Sequence, residues 1–150
     1  MSIRKLVVGT MSVALLALTA YAAEEVKLDG IKCVIAKNNP AKADKSVDYK
    51  GGKVYFCCGN CPKKFDAEKN AVAANHQLVA TKQAKQEKCP ISGQAINPEH
   101  KTTVNGVEVA FCCPNCKGKV EKAEGEAQAK LVFDNKAFDK AYKVGKAESK

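Results

Sequence analysis

Eight cysteines, arranged as two copies of one pattern, constrain this chain more than any other feature of its sequence. In each copy a single cysteine precedes a cluster of three: Cys33 before Cys57, Cys58 and Cys61, and Cys89 before Cys112, Cys113 and Cys116. A shift of 55 residues superimposes the two clusters together with the phenylalanine that precedes each of them. The chain therefore contains an internal duplication, and each repeat carries the four sulfurs that a tetrahedral soft-metal site needs.

The N-terminus has the features of an export signal. A positively charged Arg4-Lys5 pair precedes an apolar stretch over residues 6–18, and Ala20-Tyr21-Ala22 places small residues where a signal peptidase requires them. The apolar stretch is shorter than the about 20 residues that span a bilayer, although a retained membrane anchor is the alternative. We expect residues 1–22 to be a signal peptide cleaved after Ala22. The mature chain is then periplasmic or secreted, without stable membrane insertion.

The chain is basic, with 25 Lys and Arg residues against 16 Asp and Glu residues and a formal net charge of +9. Loss of residues 1–22 removes Arg4 and Lys5 and lowers the net charge to +7. The lysines are scattered among alanines and glutamates, and no arginine follows Arg4. Because arginine leads in the recognition of phosphates and bases, we interpret the lysines as a solvated face, and we expect no nucleic acid partner.

Both repeats contain a segment that predicts a β-hairpin. In the second repeat, strands over residues 101–104 and 107–111 flank Asn105-Gly106, the strongest short signal for a hairpin turn. In the first repeat, strands over residues 46–49 and 53–56 flank a Lys50-Gly51-Gly52 turn. A further turn is expected at Asn97-Pro98.

Each repeat becomes helical after its cysteine cluster. Helices are predicted over residues 71–81 and over residues 117–131, with Gly118 and Gly125 as weak points in the latter. Near-helical spacing of apolar residues over 133–144 predicts a C-terminal helix packed on the second repeat. The expected fold class is therefore α+β, with two tandem small modules that each contain a cysteine-bearing knuckle, a β-hairpin and an α-helix, plus a helical connector.

The order of knuckle, hairpin and helix, with cysteines at the knuckle and at the helix start, resembles the treble-clef YHS and TRASH-type domains, which are associated with metal handling. The resemblance rests on Cys89-Pro90-Ile91-Ser92-Gly93 and on the Phe-Cys-x-x-x-Cys segments that start at Phe56 and Phe111. It covers residues 30–68 and 86–122, and the first opening, Cys33-Val34-Ile35-Ala36, lacks the Pro and the Ser-Gly. The resemblance implies that the family's three cysteines correspond to Cys33, Cys57 and Cys61 and to Cys89, Cys112 and Cys116.

Which of two adjacent cysteines binds the metal stays open at this point. The common zinc spacing C-x2-C pairs Cys58 with Cys61, whereas the C-x3-C of the family uses Cys57. The same alternative recurs in the second repeat among Cys112, Cys113 and Cys116. Helix-start amides and the helix dipole favour the thiolate form at this position. All eight cysteines are therefore candidate metal ligands, and we expect six of them to bind.

Neither histidine is favoured as a ligand. His76 lies in a helical stretch and has no counterpart in the second repeat, which indicates a surface or helix-packing role. His100 lies between Cys89 and the second cluster. It is a candidate fourth ligand, but we do not favour it.

These features predict an exported protein that is not an enzyme and that holds about one ion per repeat, Zn²⁺ or Cu(I), through cysteine thiolates. Its function would be metal sequestration, trafficking or sensing, with metal ions and a metal-donor or metal-acceptor protein as partners. The predicted domains are residues 23–84, the first repeat with its helical connector, and residues 85–150, the second repeat with the C-terminal helix.

Two other functions use the same cysteines. An exported chain with an even number of cysteines is often a disulfide-stapled structural or interaction protein, and repeats of this size need some staple. The motifs Cys58-Gly59-Asn60-Cys61 and Cys113-Pro114-Asn115-Cys116 also match the C-x-x-C of thiol-disulfide oxidoreductases. In those enzymes the motif follows a βαβ strand rather than a hairpin, which makes this the least favoured hypothesis.

Overall fold

The computed structural model describes residues 26–145, so the predicted signal peptide over residues 1–22 lies outside the described residues. Within residues 26–145, no helix is both long and apolar enough to cross a membrane. The structure is a mixture of helices and antiparallel hairpins, which confirms the predicted α+β class. Its elements are β1 (Lys42–Tyr49), β2 (Gly52–Phe56), a short 3-10 helix (Pro62–Lys64), α1 (Ala71–Ala80), β3 (Ala84–Gln86), β4 (Asn97–Val104), β5 (Val107–Phe111), α2 (Pro114–Glu121), α3 (Gly125–Phe133), α4 (Asn135–Ala141) and β6 (Tyr142–Val144).

Each repeat forms the predicted hairpin, with β1 antiparallel to β2 and β4 antiparallel to β5. The second hairpin turns at Asn105-Gly106, where φ is 48° and 81°. A type I′ turn requires such left-handed values at both central residues. The first hairpin turns at Lys50-Gly51, where φ is 49° and 86°, and Gly52 already belongs to β2. The predicted turn is thus confirmed in the second repeat and is one residue shorter than expected in the first.

Both hairpins carry the same irregularity at equivalent positions. In the first hairpin, Lys42 pairs with Phe56 and the next pair joins Ser46 to Tyr55, so three residues of β1 have no opposite partner. The second hairpin shows the same shift between Asn97 and Lys101. An irregularity of this kind bends a strand and increases its twist. The duplication therefore extends from the cysteine spacing to the shape of the hairpins.

The prediction of a turn at Asn97-Pro98 is wrong, because both residues belong to β4. The side chain of Asn97 accepts a hydrogen bond from the Glu99 amide at 3.0 Å. This local bond lies inside the irregular stretch of the strand, where proline and turn-forming residues are tolerated. The turn chemistry is present, but it produces an irregular strand instead of a separate turn.

Helix α1 lies close to the predicted range, whereas the single helix predicted over residues 117–131 is wrong. Two helices, α2 and α3, occupy this segment, and residues 122–124 separate them. Helix α3 begins at Gly125, whose φ of 56° is left-handed. Glycine adopts this conformation without steric cost, so the weak point identified in the sequence is where the helix breaks.

The C-terminal segment is a helix followed by a strand, not the continuous helix that the spacing predicts. Helix α4 ends at Ala141, and β6 then pairs antiparallel with β3. The amides of Glu87 and Lys88 both donate to the Ala141 carbonyl, at 2.8 and 3.1 Å. Strand pairing with the connector therefore overrides the local helical spacing. It also places the end of the described chain beside the segment that leads to Cys89.

One continuous cluster of buried side chains includes residues of both repeats and of the C-terminal segment. Helix α1 lies between them, since it contacts strands of both hairpins as well as α3 and α4. The largest fully buried side chains of this core are those of Phe56, Phe111, Phe133, Phe138 and Leu78. The described part of the two repeats thus shares one hydrophobic core.

Polar contacts attach the C-terminal segment to the first repeat as well as to the second. The buried side-chain amide of Asn75 donates to the Phe133 carbonyl at 2.9 Å. The Tyr49 hydroxyl donates to Asn135 Oδ1 at 3.3 Å, and Lys50 pairs with Asp139. The C-terminal segment, expected to pack on the second repeat, therefore also contacts the first.

The shared core predicts that both repeats unfold together. Phe133→Ala removes a fully buried ring that contacts the His76 and Tyr142 rings, and we expect the free energy of unfolding to fall by about 3–5 kcal/mol. Lys136→Ala, a change at an exposed position of the neighbouring helix, should change it by less than about 0.5 kcal/mol. Urea denaturation of the reduced chain, followed by circular dichroism, measures both. Two separate transitions, only one of them shifted by Phe133→Ala, would contradict a shared core.

Candidate metal centres

The structure brings three cysteine sulfurs together in each repeat. One group consists of Cys33, Cys57 and Cys61, and the other of Cys89, Cys112 and Cys116; within each group all Sγ atoms lie within 4.8 Å of one another. Thiolates that bind one tetrahedral ion at about 2.3 Å lie about 3.8 Å apart. Small side-chain shifts therefore let all three sulfurs reach one ion, and each group can hold a metal ion.

A short closed loop presents Cys33 in the first repeat. An isolated antiparallel bridge between Lys32 and Pro40 closes the loop, and the Cys33 amide donates to the Asn39 carbonyl at 2.9 Å. The Cys33 residue is only 2% exposed. Its sulfur is thus fixed on the inner side of the group.

Cys89 occupies the matching loop of the second repeat. Here the bridge joins Lys88 to Ala95, and the Cys89 amide donates to the Gln94 carbonyl at 2.8 Å. Gly93, with a left-handed φ of 78°, turns the chain and donates its amide to the Cys89 carbonyl at 2.7 Å. Cys89 is completely buried. The two loops therefore place their cysteines alike, although only the second contains the Pro and the Ser-Gly.

In the first repeat the other two sulfurs of the group lie just after the hairpin. Cys57 follows β2 directly, and Cys61 stands immediately before the 3-10 helix. Their Sγ atoms are 3.6 Å apart. The helix start expected here is only this short 3-10 turn, because α1 begins later, at Ala71.

In the second repeat the same positions lie at the start of a true α-helix. Cys112 follows β5, Cys113 is the N-cap residue of α2, and Cys116 lies in the first turn of that helix. The Sγ atoms of Cys112 and Cys116 are 3.7 Å apart. The prediction that Cys113 and Cys116 stand at a helix start, with Cys89 close to the cluster, is confirmed.

Backbone amides surround the sulfur of Cys33. Burial acts to raise the pKa of this thiol, but hydrogen bonds from the amides of Ala36 (3.3 Å), Cys57 and Ile35 outweigh burial and lower the pKa. Hydrogen-bond donors stabilise the negative charge of a thiolate, which is the form that binds metals. The first opening cysteine is therefore prepared for metal binding.

Cys89 has a similar environment. Burial again acts to raise its pKa, and the Ser92 hydroxyl together with the amides of Ser92, Cys112 and Ile91 lowers the pKa to about 7. Ser92 belongs to the Ser-Gly pair that the first loop lacks. The second opening cysteine thus has a hydroxyl donor where the first has the Cys57 thiol.

The third sulfur of each group has a raised pKa. Hydrogen bonding with Cys58, together with burial, raises the pKa of Cys61 to about 12. Burial and hydrogen bonds with Cys112 and Cys113 raise that of Cys116 to about 12. Close thiolates repel one another, so a group without an ion keeps some of its protons. Metal binding must release those protons, which couples metal affinity to pH.

The remaining two cysteines, Cys58 and Cys113, lie beside the groups and are not members of them. The Sγ atom of Cys58 is 3.5 Å from that of Cys61, and the Sγ atom of Cys113 is 3.6 Å from that of Cys112. None of the eight cysteines, which all lie within the described residues, is joined by a disulfide in this structure. The geometry therefore assembles the C-x3-C trios that the family resemblance implies, and leaves one further sulfur at the side of each.

A glutamine side chain holds the first group together, and no sequence pattern indicated this role. Gln77, on α1 and 2% exposed, accepts a hydrogen bond from the Tyr55 amide at 2.6 Å and donates to the Tyr55 carbonyl at 3.0 Å. It also donates to the carbonyl of Lys32 at 2.9 Å. Lys32 precedes Cys33, and Tyr55 lies two residues before Cys57. One amide group thus joins the Cys33 loop to the strand that leads to Cys57.

The second repeat uses the same arrangement with a glutamine from a different element. Gln86, on β3, accepts from the Ala110 amide at 2.9 Å and donates to the carbonyls of Ala110 and Lys88 at 2.7 and 3.0 Å. Ala110 is the counterpart of Tyr55, and Lys88 precedes Cys89. Because Gln77 and Gln86 are not equivalent in the 55-residue repeat, comparison of the two copies cannot identify them.

The histidines lie outside both groups. The His76 ring packs edge-on against Phe133, with centroids 5.2 Å apart, and its Nε2 atom is 2.9 Å from the Asn105 carbonyl oxygen. Burial lowers its pKa. His76 thus has the packing role predicted from the sequence. His100 lies in β4 and belongs to neither sulfur group.

A scan against protein-family models, a search of curated proteins and a search of solved structures each gave no match to this chain.

The glutamine contacts predict a site-specific effect on metal affinity. Gln77→Leu keeps the size of the side chain but leaves the Tyr55 and Lys32 groups without their partner, so we expect the first group to bind its ion about 10–100-fold more weakly. Gln86→Leu is the matched variant and should weaken the second group alone. Competition with a chromophoric chelator measures each group by itself when the other has lost one cysteine to serine. Equal weakening of both groups by Gln77→Leu would contradict a local role.

Proposed function

We propose that this chain is an exported metal-binding protein that holds one soft or borderline ion in each repeat through cysteine thiolates. The observation that carries the proposal is the meeting of three sulfurs within 4.8 Å, twice, from loops and strand ends that are far apart in the sequence. Burial alone disfavours a thiolate, but the amides around the buried Cys33 and Cys89 lower the pKa of both thiols. These two cysteines are therefore placed where the thiolate, the form that binds metals, is favoured.

The cysteine sulfurs restrict which metal ion can bind. Thiolates select Zn²⁺ and Cu(I) over hard cations such as Mg²⁺ and Ca²⁺, which take oxygen ligands. Structural zinc sites use four protein ligands, whereas three ligands leave a position for exchange. Because each group consists of three sulfurs with a fourth at its side, the arrangement favours an ion that is bound and passed on over one that serves only as a staple.

The sequence features extend the proposal to family and location. The resemblance to YHS and TRASH-type treble clefs supports metal sequestration, trafficking or sensing as the role, and the two C-x3-C trios are the cysteines that this resemblance assigns. The N-terminal sequence supports export, which places the thiols in the periplasm or outside the cell. A metal-donor or metal-acceptor protein is then the expected partner.

One observation favours thiol-disulfide exchange as a second candidate function. Cys58 is exposed, and hydrogen bonds from the Asn60 amide and Cys61 lower its pKa to about 7. Cys61, with its raised pKa, lies 3.5 Å away and could serve as the resolving thiol. Against this, Cys57 lies equally close to Cys61, at 3.6 Å. A competing third thiol at this distance suits ion binding better than a two-cysteine redox cycle.

The proposal predicts that each repeat loses its ion independently. The reduced, metal-replete chain from residue 23 onward should bind two ions, and Cys116→Ser should bind one, because it removes a sulfur from the second group only. Cys61→Ser is the matched control and should also bind one ion, while the double variant should bind none. Native mass spectrometry counts the ions. Unchanged counts in both single variants, or rapid turnover of a disulfide substrate by the metal-loaded chain, would favour the second candidate function.

A further inference from the structure

Each repeat contains one sulfur beside its three-sulfur group, and in the first repeat this extra sulfur is exposed. In the first repeat Cys33 and Cys61 are buried and Cys57 is half-buried, whereas Cys58 is exposed. In the second repeat Cys89 is fully buried, whereas Cys112, Cys113 and Cys116 are all half-buried, and Cys113 is the N-cap residue of α2. The sulfurs of the first repeat therefore form a series from the interior to the surface, and in the second repeat the extra sulfur is more accessible than Cys89.

The extra sulfur is close enough to share an ion with one member of its group. Two thiolates on a single ion, each at about 2.3 Å from it, lie about 3.8 Å apart. Cys58 Sγ is 3.5 Å from Cys61 Sγ, and Cys113 Sγ is 3.6 Å from Cys112 Sγ. An ion can thus bind the extra sulfur and one group sulfur first, and then reach the other two.

The segment after the extra sulfur leaves its approach open. Gly59 and Asn60 are exposed, and a Cβ atom built on Gly59 would meet nothing within 4 Å. Pro114 and Asn115 are exposed at the same place in the second repeat. A thiol ligand that carries an ion can therefore approach Cys58 and Cys113 directly from solvent.

We propose that Cys58 and Cys113 are exchange ligands that receive a soft metal ion from a thiolate donor and pass it to the three-sulfur group behind them. This inference rests on the proposed function and names the residues that act in metal transfer. In the first repeat, Cys58 forms a bond to the ion as one donor thiolate leaves, and the Cys58 proton goes to that departing thiolate. Bonds to Cys61, Cys57 and Cys33 then replace the remaining donor bonds and the bond to Cys58, and the protons that these three thiols carried go to the departing donor thiolates, to the released Cys58 thiolate and to solvent. The ion keeps its charge throughout.

The test separates the rate of transfer from the strength of binding. Cu(I) and Zn²⁺ are presented separately as their glutathione complexes to the reduced chain from residue 23 onward, and uptake is followed by stopped-flow spectroscopy. Uptake by Cys58→Ser/Cys113→Ser should be slower by about tenfold or more, which corresponds to a barrier at least ~1.4 kcal/mol higher. Its equilibrium affinity, measured by chelator competition, should stay within about threefold of the unsubstituted chain, or under ~1 kcal/mol.

Matched variants control for the change of surface. Asn60→Ser/Asn115→Ser alters exposed neighbours without removing a sulfur and should leave the uptake rate unchanged. Cys57→Ser/Cys112→Ser removes a group member from each repeat and should lose affinity itself. Circular dichroism checks that every variant is folded.

Three results would overturn the proposal, and they have different consequences. Uptake by Cys58→Ser/Cys113→Ser at the unsubstituted rate means that these thiols take no part in transfer. Loss of affinity as complete as in Cys57→Ser/Cys112→Ser means that they are permanent ligands instead. Both results leave the proposed function standing, whereas failure of the unsubstituted chain to bind either ion overturns the proposed function as well.

Discussion

The attachment of each opening loop to its hairpin is the interaction on which both metal centres depend. Cys33 and Cys57 are 24 residues apart in the chain, and no local interaction can bring their sulfurs together. The amide of Gln77 does so by bonding to Lys32 and to both backbone groups of Tyr55. Buried backbone groups without partners are costly, so the loop is held in place by the same bonds that satisfy the strand edge.

From this attachment the rest of the centre follows. The loop presents a buried cysteine whose pKa neighbouring amides lower, and the strand end presents two adjacent cysteines. One of the two joins the group and the other lies beside it. In the second repeat the end of α4 also supports the loop, because the amides of Glu87 and Lys88 donate to the Ala141 carbonyl. The end of the described chain thus acts on a metal centre as well as on the core.

The sequence predicted the features that depend on local chemistry or on the duplication. The Asn105-Gly106 turn, the α+β class and the position of Cys113 and Cys116 at a helix start are all confirmed. The choice between Cys57 and Cys58, by contrast, depends on where Cys33 lies in space, and spacing rules gave two answers. The family resemblance pointed to Cys57 and Cys112, and these are the sulfurs that the structure places in the groups.

What the sequence could not predict depends on partners that are distant along the chain. Tyr142 to Val144 continue a helical spacing, yet they form a strand because β3 offers free backbone groups. Gln77 and Gln86 are ordinary polar residues in the sequence, and only their hydrogen bonds to the two hairpins show their role. The division of the chain into residues 23–84 and 85–150 stays a prediction. Helix α1 contacts strands of both hairpins.

Metal binding by the eight cysteines is best tested through the state of the thiols in the native protein. The measurement is metal analysis combined with thiol counting on the chain freshly isolated without added reductant, oxidant or chelator. If the cysteines bind metal, the chain should contain two ions, and all eight cysteines should react with a thiol reagent after denaturation with a chelator. Four disulfides, no bound metal and no reactive thiol would contradict it and would identify the chain as a disulfide-stapled protein.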